Sequence, residues 1–158
     1  MQKKQPEAVE EIVAVVLERF EKRSQGRELI VEIPQELVLV PVDAKLIVQV
    51  LINLLDNAVK HTTPQQQIYM SVEKLADSVK FTVRDEGYGI SERDLPYIFQ
   101  MYYTTAIGSA DAKKGMGLGL AICDAVIKAH GGTISAANHP DGGAIFTFTL
   151  PMEAFADE

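Results

Sequence analysis

The segment "KKGMGLGL", residues 113–120, carries three glycines at alternate positions immediately before a predicted helix. Free backbone N–H groups and the positive end of a helix dipole together favour phosphate binding. Two common phosphate loops do not match: the string G-x-x-x-x-G-K-[ST] is absent, and Leu120 takes the place of the last glycine in G-x-G-x-x-G. The segment therefore predicts a phosphate site of another kind, with a flexible hinge as the alternative.

A second segment, "RDEGYGIS", residues 84–91, joins a carboxylate to two glycines at the end of a predicted strand. Asp85 ends the strand, and Gly87 and Gly89 follow it. Since aspartate and glycine are also the commonest turn residues, a simple turn is the alternative. The functional interpretation is a hydrogen-bond acceptor beside a backbone without Cβ atoms, which a flat ligand can approach closely.

A third segment, "NLLDNAVKHT", places two asparagines and a lysine inside an otherwise apolar helix. Asn53 and Asn57 are four residues apart and Lys60 follows three later, so all three project from one helical face. Alone, this pattern is typical of the solvated side of a helix. It gains weight only from the two glycine segments in the same chain.

Composition limits the classes of function. The chain has 158 residues, the length of one domain, and a net charge of −7, which argues against nucleic-acid binding but not against a small anionic ligand. Cys123 is the only cysteine, so the chain holds no internal disulfide and no cysteine-based metal site. The aliphatic run at 12–17 is too short to span a bilayer, and the first residues do not resemble a signal peptide.

The hydrophobic pattern predicts three main helices that must position these segments. The first starts with Pro6 in its first turn and ends before Gly26. The second is capped by Asp43 and runs to about His61. The third covers 118–130 and ends at Gly131. Its inward residues are expected to be Ala121, Ile122, Ala125, Val126 and Ala129.

About five strands are predicted as well, at 28–33, 67–75, 79–85, 132–138 and 144–150. The stretch 34–41, "PQELVLVP", is interpreted as an extended connector, and Ser91 as the cap of a short helical piece. Because strands follow one another late in the chain, the pattern favours an α+β two-layer sandwich over a doubly wound parallel sheet.

In order along the chain, "NLLDNAVKH", "DEGYG", "IFQMYY", "GMGLGL" and "DGGAIFTFTLP" resemble the five nucleotide-binding motifs of histidine-kinase ATP-binding domains. That family belongs to the Bergerat-fold group, with gyrase, heat-shock chaperones and mismatch-repair ATPases. The resemblance covers about residues 28–151 and is greatest to Kdp-type, potassium-responsive sensor kinases. It implies a Bergerat fold, with a mixed sheet of about five strands and three main helices on one face.

The resemblance also implies roles for individual residues. ATP and Mg²⁺ are the expected cofactors, with Asn57 as the metal ligand. Asn53, Asn57 and Lys60 form the expected catalytic set, His61 lies near the nucleotide, and Asp85 accepts a hydrogen bond from the adenine amino group. The remaining expected nucleotide contacts are Gly87, Gly89, Ile90, Lys113, Lys114, Gly115, Gly117, Leu118, Gly119 and Leu120.

Asn53 distinguishes between branches of this group. The resemblance implies that hydrolysing members and serine kinases carry a glutamate at this place, which deprotonates water or a hydroxyl. An asparagine cannot accept that proton at neutral pH. A neutral imidazole nucleophile already has a free lone pair. Asn53 therefore favours phosphoryl transfer to histidine.

Departures from the family pattern concern the motif "IFQMYY" and the residues after it, the last motif, and the acceptor histidine. Tyr102 replaces a usual phenylalanine, Thr104 a frequent arginine, and Ala144 a common threonine. The chain's three histidines, at positions 61, 130 and 139, do not lie in a dimerisation-helix context. His130 is expected to cap helix carbonyls, and His139 to lie in a turn.

The expected function is therefore the ATP-binding catalytic domain of a two-component sensor histidine kinase. Residues 1–27 are expected to form a linker helix leading into the domain, and residues 28–158 the catalytic domain. Expected partners are the parent's own dimerisation and histidine-phosphotransfer domain and, indirectly, a response regulator. The isolated domain is expected to be monomeric, cytoplasmic, and part of a parent protein in the bacterial inner membrane. The alternatives are a stand-alone Bergerat-fold serine kinase or ATPase switch and a protein-binding module without enzymatic activity.

Overall fold

The computed structural model describes residues 4–100 and 119–152. The helices in these ranges are α1 (Val9–Glu21), α2 (Ala44–Lys60) and α3 (Gly119–Ala129), with a 3-10 turn at Leu95–Tyr97. The strands are β1 (Gln5–Ala8), β2 (Leu29–Glu32), β3 (Leu39–Val42), β4 (Ile68–Lys74), β5 (Ser78–Asp85), β6 (Thr133–Asn138) and β7 (Ala144–Pro151). Within the same ranges, no helix has the length and apolar character needed to cross a membrane.

Five strands form a mixed sheet in the order β2-β4-β5-β7-β6. β2 runs parallel to β4, and the other neighbours are antiparallel. The three helices lie on one face, because α2 and α3 contact the sheet and α1 packs against α2. The predicted α+β two-layer sandwich is therefore confirmed, as are the five strands of its sheet.

The core lies between the helices and the inner face of the sheet. Side chains along β5 alternate, with Val79, Phe81 and Val83 buried and the intervening residues partly exposed on the outer face. Phe81 stacks on Phe148 of β7, with ring centroids 4.7 Å apart. Because the alternation continues to the end of β5, Asp85 also faces inward, at the edge of the apolar core.

Helix α2 has the predicted bounds. Asp43 occupies its N-cap in an extended conformation, without a side-chain capping hydrogen bond, and His61 is the C-cap residue. Most of its apolar residues are buried, whereas Asn53 and Asn57 are half-buried and Lys60 is exposed. The helix thus buries one side in the core and presents a polar ridge on another.

The beginning of the chain differs from the prediction. Pro6 does not start a helix but lies in β1, opposite Pro41 of β3, and α1 begins only at Val9. The φ angle of proline suits an extended strand as well as a first helical turn, and proline is tolerated in edge strands. The expected connector at 34–41 accordingly contributes to β3, whose residues Val40 and Val42 are fully buried.

The predicted inward face of α3 is only partly correct, since Val126 alone of the predicted residues packs against the core, and it is partly buried. Cys123 and Ile127 are the buried residues of this helix, while Ile122, Ala125 and Ala129 are exposed. Almost every position in this helix is apolar, so its sequence offers several possible stripes. Packing against α2 selects the stripe that contains Cys123, whose thiol lies 3.7 Å from the carbonyl oxygen of Val50.

The end of α3 agrees with the prediction. Gly131 has a φ of 78°, its N–H donates to Lys128, and Gly132 donates to Ile127. These two hydrogen bonds form a Schellman motif. The buried His130 ring contacts the carbonyl oxygen of Val126 through Nδ1, at 2.8 Å, and its Nε2 accepts the N–H of Asp43, at 3.1 Å. His130 thereby links the end of α3 to the start of α2.

Candidate functional site

The polar ridge of α2 faces the start of α3. The side-chain nitrogen of Asn53 lies 3.5 Å from the carbonyl oxygen of Gly119. The Asn53 oxygen accepts a 2.8 Å hydrogen bond from Gln49, one turn earlier on α2. The fold therefore brings the asparagine-bearing face of α2 next to the start of α3, which follows the glycine-rich segment. Asn53 and Gly119 are 66 residues apart in sequence.

Asp85 is the buried acid of the site. It is 2% exposed, and two backbone N–H groups donate to the same carboxylate oxygen, Oδ1: that of Gly87 at 2.8 Å and that of Ala144 at 3.3 Å. Burial raises the pKa of Asp85, against the effect of these two hydrogen bonds and of the charge of Arg84. No described residue donates to Oδ2, so this oxygen is available to a hydrogen-bond donor on a ligand.

Two glycines allow the chain to pass close to this acid. A Cβ atom on Gly87 would lie 1.9 Å from the carbonyl oxygen of His61, and one on Gly143 would lie 1.9 Å from the carbonyl oxygen of Asp85. Gly143 also has a φ of 94°, which favours glycine. Protein backbone thus fills the space beside both glycines, whereas the sequence alone suggested that a ligand would use the space at Gly87.

Asn138 is a residue that sequence reasoning missed. It ends β6, and its side chain holds the backbone of Ile90 from both sides. The N–H of Ile90 donates to Oδ1 at 2.7 Å, and Nδ2 donates to the carbonyl oxygen of Ile90 at 2.6 Å. The sequence carries no signal for this contact, because the two residues lie 48 positions apart and Asn138 occurs at an ordinary strand end.

Glu86 was missed as well, and it fixes the end of β5 from the outer side. Its carboxylate accepts the backbone N–H of Gln67 at 2.9 Å and the hydroxyl of Tyr69 at 2.8 Å. Both hydrogen bonds lower the pKa of Glu86, and the bond from the Gln67 N–H has the larger effect. The pKa of Tyr69 is raised, mainly because its hydroxyl donates to Glu86. Asp85 is therefore followed by a residue whose position is set by β4.

His61 and Tyr88 bring two aromatic rings together beside these elements. Their centroids are 4.9 Å apart and the rings are tilted by 40°. Tyr88 is 54% exposed, so most of its surface is accessible. The pair lies where the C-terminus of α2 meets the loop that follows Asp85.

The described residues contain only part of the predicted phosphate segment. The predicted contacts outside the described residues are Lys113, Lys114, Gly115, Gly117 and Leu118. Tyr102 and Thr104 lie outside them as well. Gly119 is the first residue of α3, and a Cβ atom there would meet no atom of the other described elements within 4 Å. Leu120 is partly buried and packs against the core.

The donors on α2 match the needs of a magnesium ion that is bound mainly by phosphate and water. Mg²⁺ requires oxygen ligands and commonly takes only one or two from the protein. Asn57 is half-buried and makes no hydrogen bond to another described residue, which leaves its amide oxygen available. Within the described ranges there is no cluster of three or more histidine, cysteine, aspartate or glutamate residues that could hold a metal without phosphate.

Comparison with known proteins identifies the family. The family described as "Histidine kinase-, DNA gyrase B-, and HSP90-like ATPase" matches residues 42–154. The chain is 43% identical to the sensor protein KdpD of Clostridium acetobutylicum over 96% of its length, and 38% identical to KdpD of Escherichia coli over 96%. It spans 17% of the length of each of these two relatives.

Solved structures agree. The catalytic domain of the histidine kinase ThkA superposes with a TM-score of 0.83 at 31% identity, covering 95% of this chain and 96% of that one. Full-length ShkA in complex with AMPPNP superposes with a TM-score of 0.81 at 26% identity, covering 96% of this chain and 31% of that one. The sequence match and the shared fold lead to one conclusion: the chain belongs to the histidine kinase-, gyrase- and HSP90-like ATPase family, as an ATP-binding catalytic domain of the sensor histidine kinase type.

Proposed function

We propose that this chain binds ATP with Mg²⁺ and presents the γ-phosphate to a histidine on a separate dimerisation domain. The observation that carries the proposal is the arrangement at Asp85. Its two backbone donors occupy Oδ1 and leave Oδ2 without a donor among the described residues. A buried carboxylate oxygen in this state is a strong acceptor for a single N–H group.

Adenine supplies such a donor in its exocyclic amino group. Guanine presents a carbonyl oxygen at the equivalent ring position, and two acceptors would repel each other. A hydrogen bond to a charged group contributes about 1.5–3 kcal/mol, which corresponds to roughly one to two decades in affinity. Asp85 would therefore select adenine over guanine nucleotides, with His61, Gly87, Gly89 and Ile90 around the base.

The polar ridge of α2 would hold the phosphates. Asn57 would supply one oxygen ligand to Mg²⁺, which would supply positive charge against the negative charge of the phosphates. Asn53 would lie beside it, and the exposed ammonium group of Lys60 would contact a phosphate. We assign the remaining phosphate contacts to Lys113, Lys114 and the segment Gly115, Gly117, Leu118, Gly119 and Leu120.

The proposed reaction is an in-line phosphoryl transfer. A bond forms between phosphorus and a nitrogen of the acceptor imidazole, the bond between phosphorus and the oxygen bridging to ADP breaks, and ADP leaves with the electron pair. The imidazole lone pair attacks without a general base. Catalysis then consists of positioning and charge neutralisation, which suits the neutral Asn53, Asn57 and the cationic Lys60.

A transfer assay tests this proposal. The chain is mixed with γ-labelled Mg·ATP and a purified dimerisation domain from a KdpD-type kinase, and acid-labile label on that domain is measured. We expect labelling that depends on both the chain and the acceptor histidine. A matched acceptor whose histidine is replaced by alanine controls for labelling at other positions. Absence of transfer despite ATP binding would contradict the kinase assignment.

A stand-alone serine kinase or ATPase switch is the second candidate. Asn53 argues against it, because its amide is hydrogen-bonded to Gln49 and cannot accept a proton from water at neutral pH. Steady release of inorganic phosphate by the isolated chain would favour this alternative. Under the proposed function, phosphate release stays near background.

We further propose that the chain works within a larger sensor kinase, since it covers only 17% of its KdpD relatives. Residues 1–27 would link it to a dimerisation domain and residues 28–158 would carry the nucleotide site, with the apolar side of α1 buried against α2. A response regulator would be the downstream partner; the ThkA kinase structure was solved in complex with its regulator TrrA. The domain would be monomeric and cytoplasmic, and its parent would lie in the inner membrane.

A further inference from the structure

The hairpin between β6 and β7 contacts both the last residue of β5 and the loop that follows it. The amide of Asn138 holds both backbone groups of Ile90. The N–H of Ala144 donates to the carboxylate of Asp85, and Gly143 packs against the carbonyl oxygen of Asp85. At the turn end of the hairpin, the start of β7 thus contacts the acid, and the end of β6 contacts the loop five residues further on.

We propose that Asn138 is a positioning residue for purine selection, an inference that rests on the proposed function. Ile90 is the first backbone position after Gly89, whose φ of 80° turns the chain. By fixing Ile90, Asn138 sets where the loop at 86–90 lies relative to the free oxygen of Asp85. The distance between that oxygen and the loop backbone determines which flat base can enter.

The chemistry of the contact requires an amide. Asn138 donates through Nδ2 and accepts through Oδ1 at the same time, which no hydroxyl or carboxylate of that length does in this geometry. The space beside it is tight, since a Cβ atom on Gly89 would lie 2.8 Å from Oδ1. The side chain is therefore held in one orientation by both of its bonds and by Gly89.

The location of Asn138 in β6 provides a control that distinguishes a positioning role from general support of the sheet. β6 is an edge strand of the sheet, with β7 as its only strand neighbour among the described residues. At the other end of β6, Thr133 makes a comparable surface contact, a 3.1 Å hydrogen bond to Thr149. Thr133→Ala is therefore a matched control, because it removes a β6 side-chain hydrogen bond far from Asp85.

The test compares the unmodified chain with Asn138→Ala, Asn138→Asp and Thr133→Ala. Mg·ATP and Mg·GTP affinities are measured by calorimetry, and amide exchange at Ile90 by NMR. Loss of two hydrogen bonds is expected to weaken ATP binding roughly tenfold in Asn138→Ala. GTP binding, which gains nothing from Asp85, should change less. Asn138→Asp should resemble Asn138→Ala, because its carboxylate would face the carbonyl oxygen of Ile90.

The decisive readouts are the ratio of ATP to GTP affinity and the exchange rate at Ile90. A variant that merely lowers the folded fraction leaves that ratio unchanged, so a smaller ratio together with faster Ile90 exchange supports the inference. An unchanged ratio, unchanged exchange, or an equal effect of Thr133→Ala would overturn it. If the unmodified chain bound no ATP, the proposed function would fail and the inference with it, whereas normal binding with an inert Asn138→Ala would refute the inference alone.

Discussion

Replacing Asp85 by asparagine tests the adenine assignment with almost no change in side-chain volume. In the native chain Oδ1 accepts two backbone N–H groups, and Oδ2 has no donor among the described residues. An asparagine has one oxygen and one NH₂ group, so it cannot serve both sides. If its oxygen faces Gly87 and Ala144, its NH₂ group meets the adenine amino group, and two donors oppose each other.

The opposite orientation is no better, because the NH₂ group would then face two backbone N–H groups in a buried site. Either way the variant loses a charge-assisted hydrogen bond, which contributes about 1.5–3 kcal/mol. We therefore expect ATP affinity to fall roughly tenfold to a hundredfold. GTP affinity should rise rather than fall, because the NH₂ group can donate to the carbonyl oxygen of guanine, so discrimination between the two nucleotides should decline.

The Asp85→Asn substitution should affect thermal stability differently from ATP affinity. Burial raises the pKa of Asp85 in the folded protein, which means that folding disfavours its charged form. The free energy of unfolding of the native chain therefore decreases as pH rises from the unfolded-state pKa to the folded-state pKa of Asp85. The full decrease is present above the folded-state pKa. Asparagine removes that charge, so Asp85→Asn should melt no lower than the native chain at neutral pH.

Calorimetric titration with both nucleotides and thermal unfolding at neutral pH measure these two effects. Asp77→Asn is the matched control, since it makes the same change in the exposed turn before β5. We also expect ATP binding by the native chain to weaken on acidification at a higher pH than an ordinary aspartate would give. Unchanged ATP affinity in Asp85→Asn would refute the reasoning about Oδ2.

Three further predictions concern the metal, the packing of the loop and the core. Asn57→Ala should abolish the part of ATP affinity that depends on Mg²⁺ and leave metal-free binding unchanged; equal Mg²⁺ dependence in calorimetry would exclude Asn57 as a ligand. Gly87→Ala should destabilise the fold by about 1–3 kcal/mol in denaturant unfolding, because the new Cβ atom would collide with the backbone of His61. Gly119→Ala is the control: no atom of the other described elements lies close to its added Cβ atom, so this change should be neutral or slightly stabilising. Phe81→Ala should lower the free energy of unfolding by about 3–5 kcal/mol, because Phe81 is fully buried against Phe148. Lys80→Ala, on the outer face, should lower it little. Equal effects of the two substitutions would contradict the assigned sides of the sheet.

The parts of the fold that follow from local pattern could be predicted. The bounds of α2, the five strands of the sheet and the glycine end of α3 each rest on hydrophobic period or on a capping residue. Asp85 could also be recognised as the acid at a strand end. These signals lie within a few residues of the feature that they specify.

The parts that depend on distant partners could not be predicted. β1 forms because Leu39–Val42 lies beside it, and nothing near Pro6 indicates that neighbour. The face of α3 is chosen by α2 from several apolar stripes. The same holds for Gly87, whose missing Cβ makes room for the carbonyl group of His61. Asn138 contacts a loop 48 positions earlier, so its role emerges only from the folded chain.

The most direct test of the account is an NMR titration of the chain with Mg·ATP. We expect saturable shifts of the amide signals at Asn57, on the polar ridge of α2, and at Gly87 and Ala144, whose N–H groups bond to the carboxylate of Asp85. Mg·GTP at the same concentration should leave the Gly87 and Ala144 signals nearly unchanged. If saturating Mg·ATP left all three signals in place, the proposed nucleotide site would be wrong.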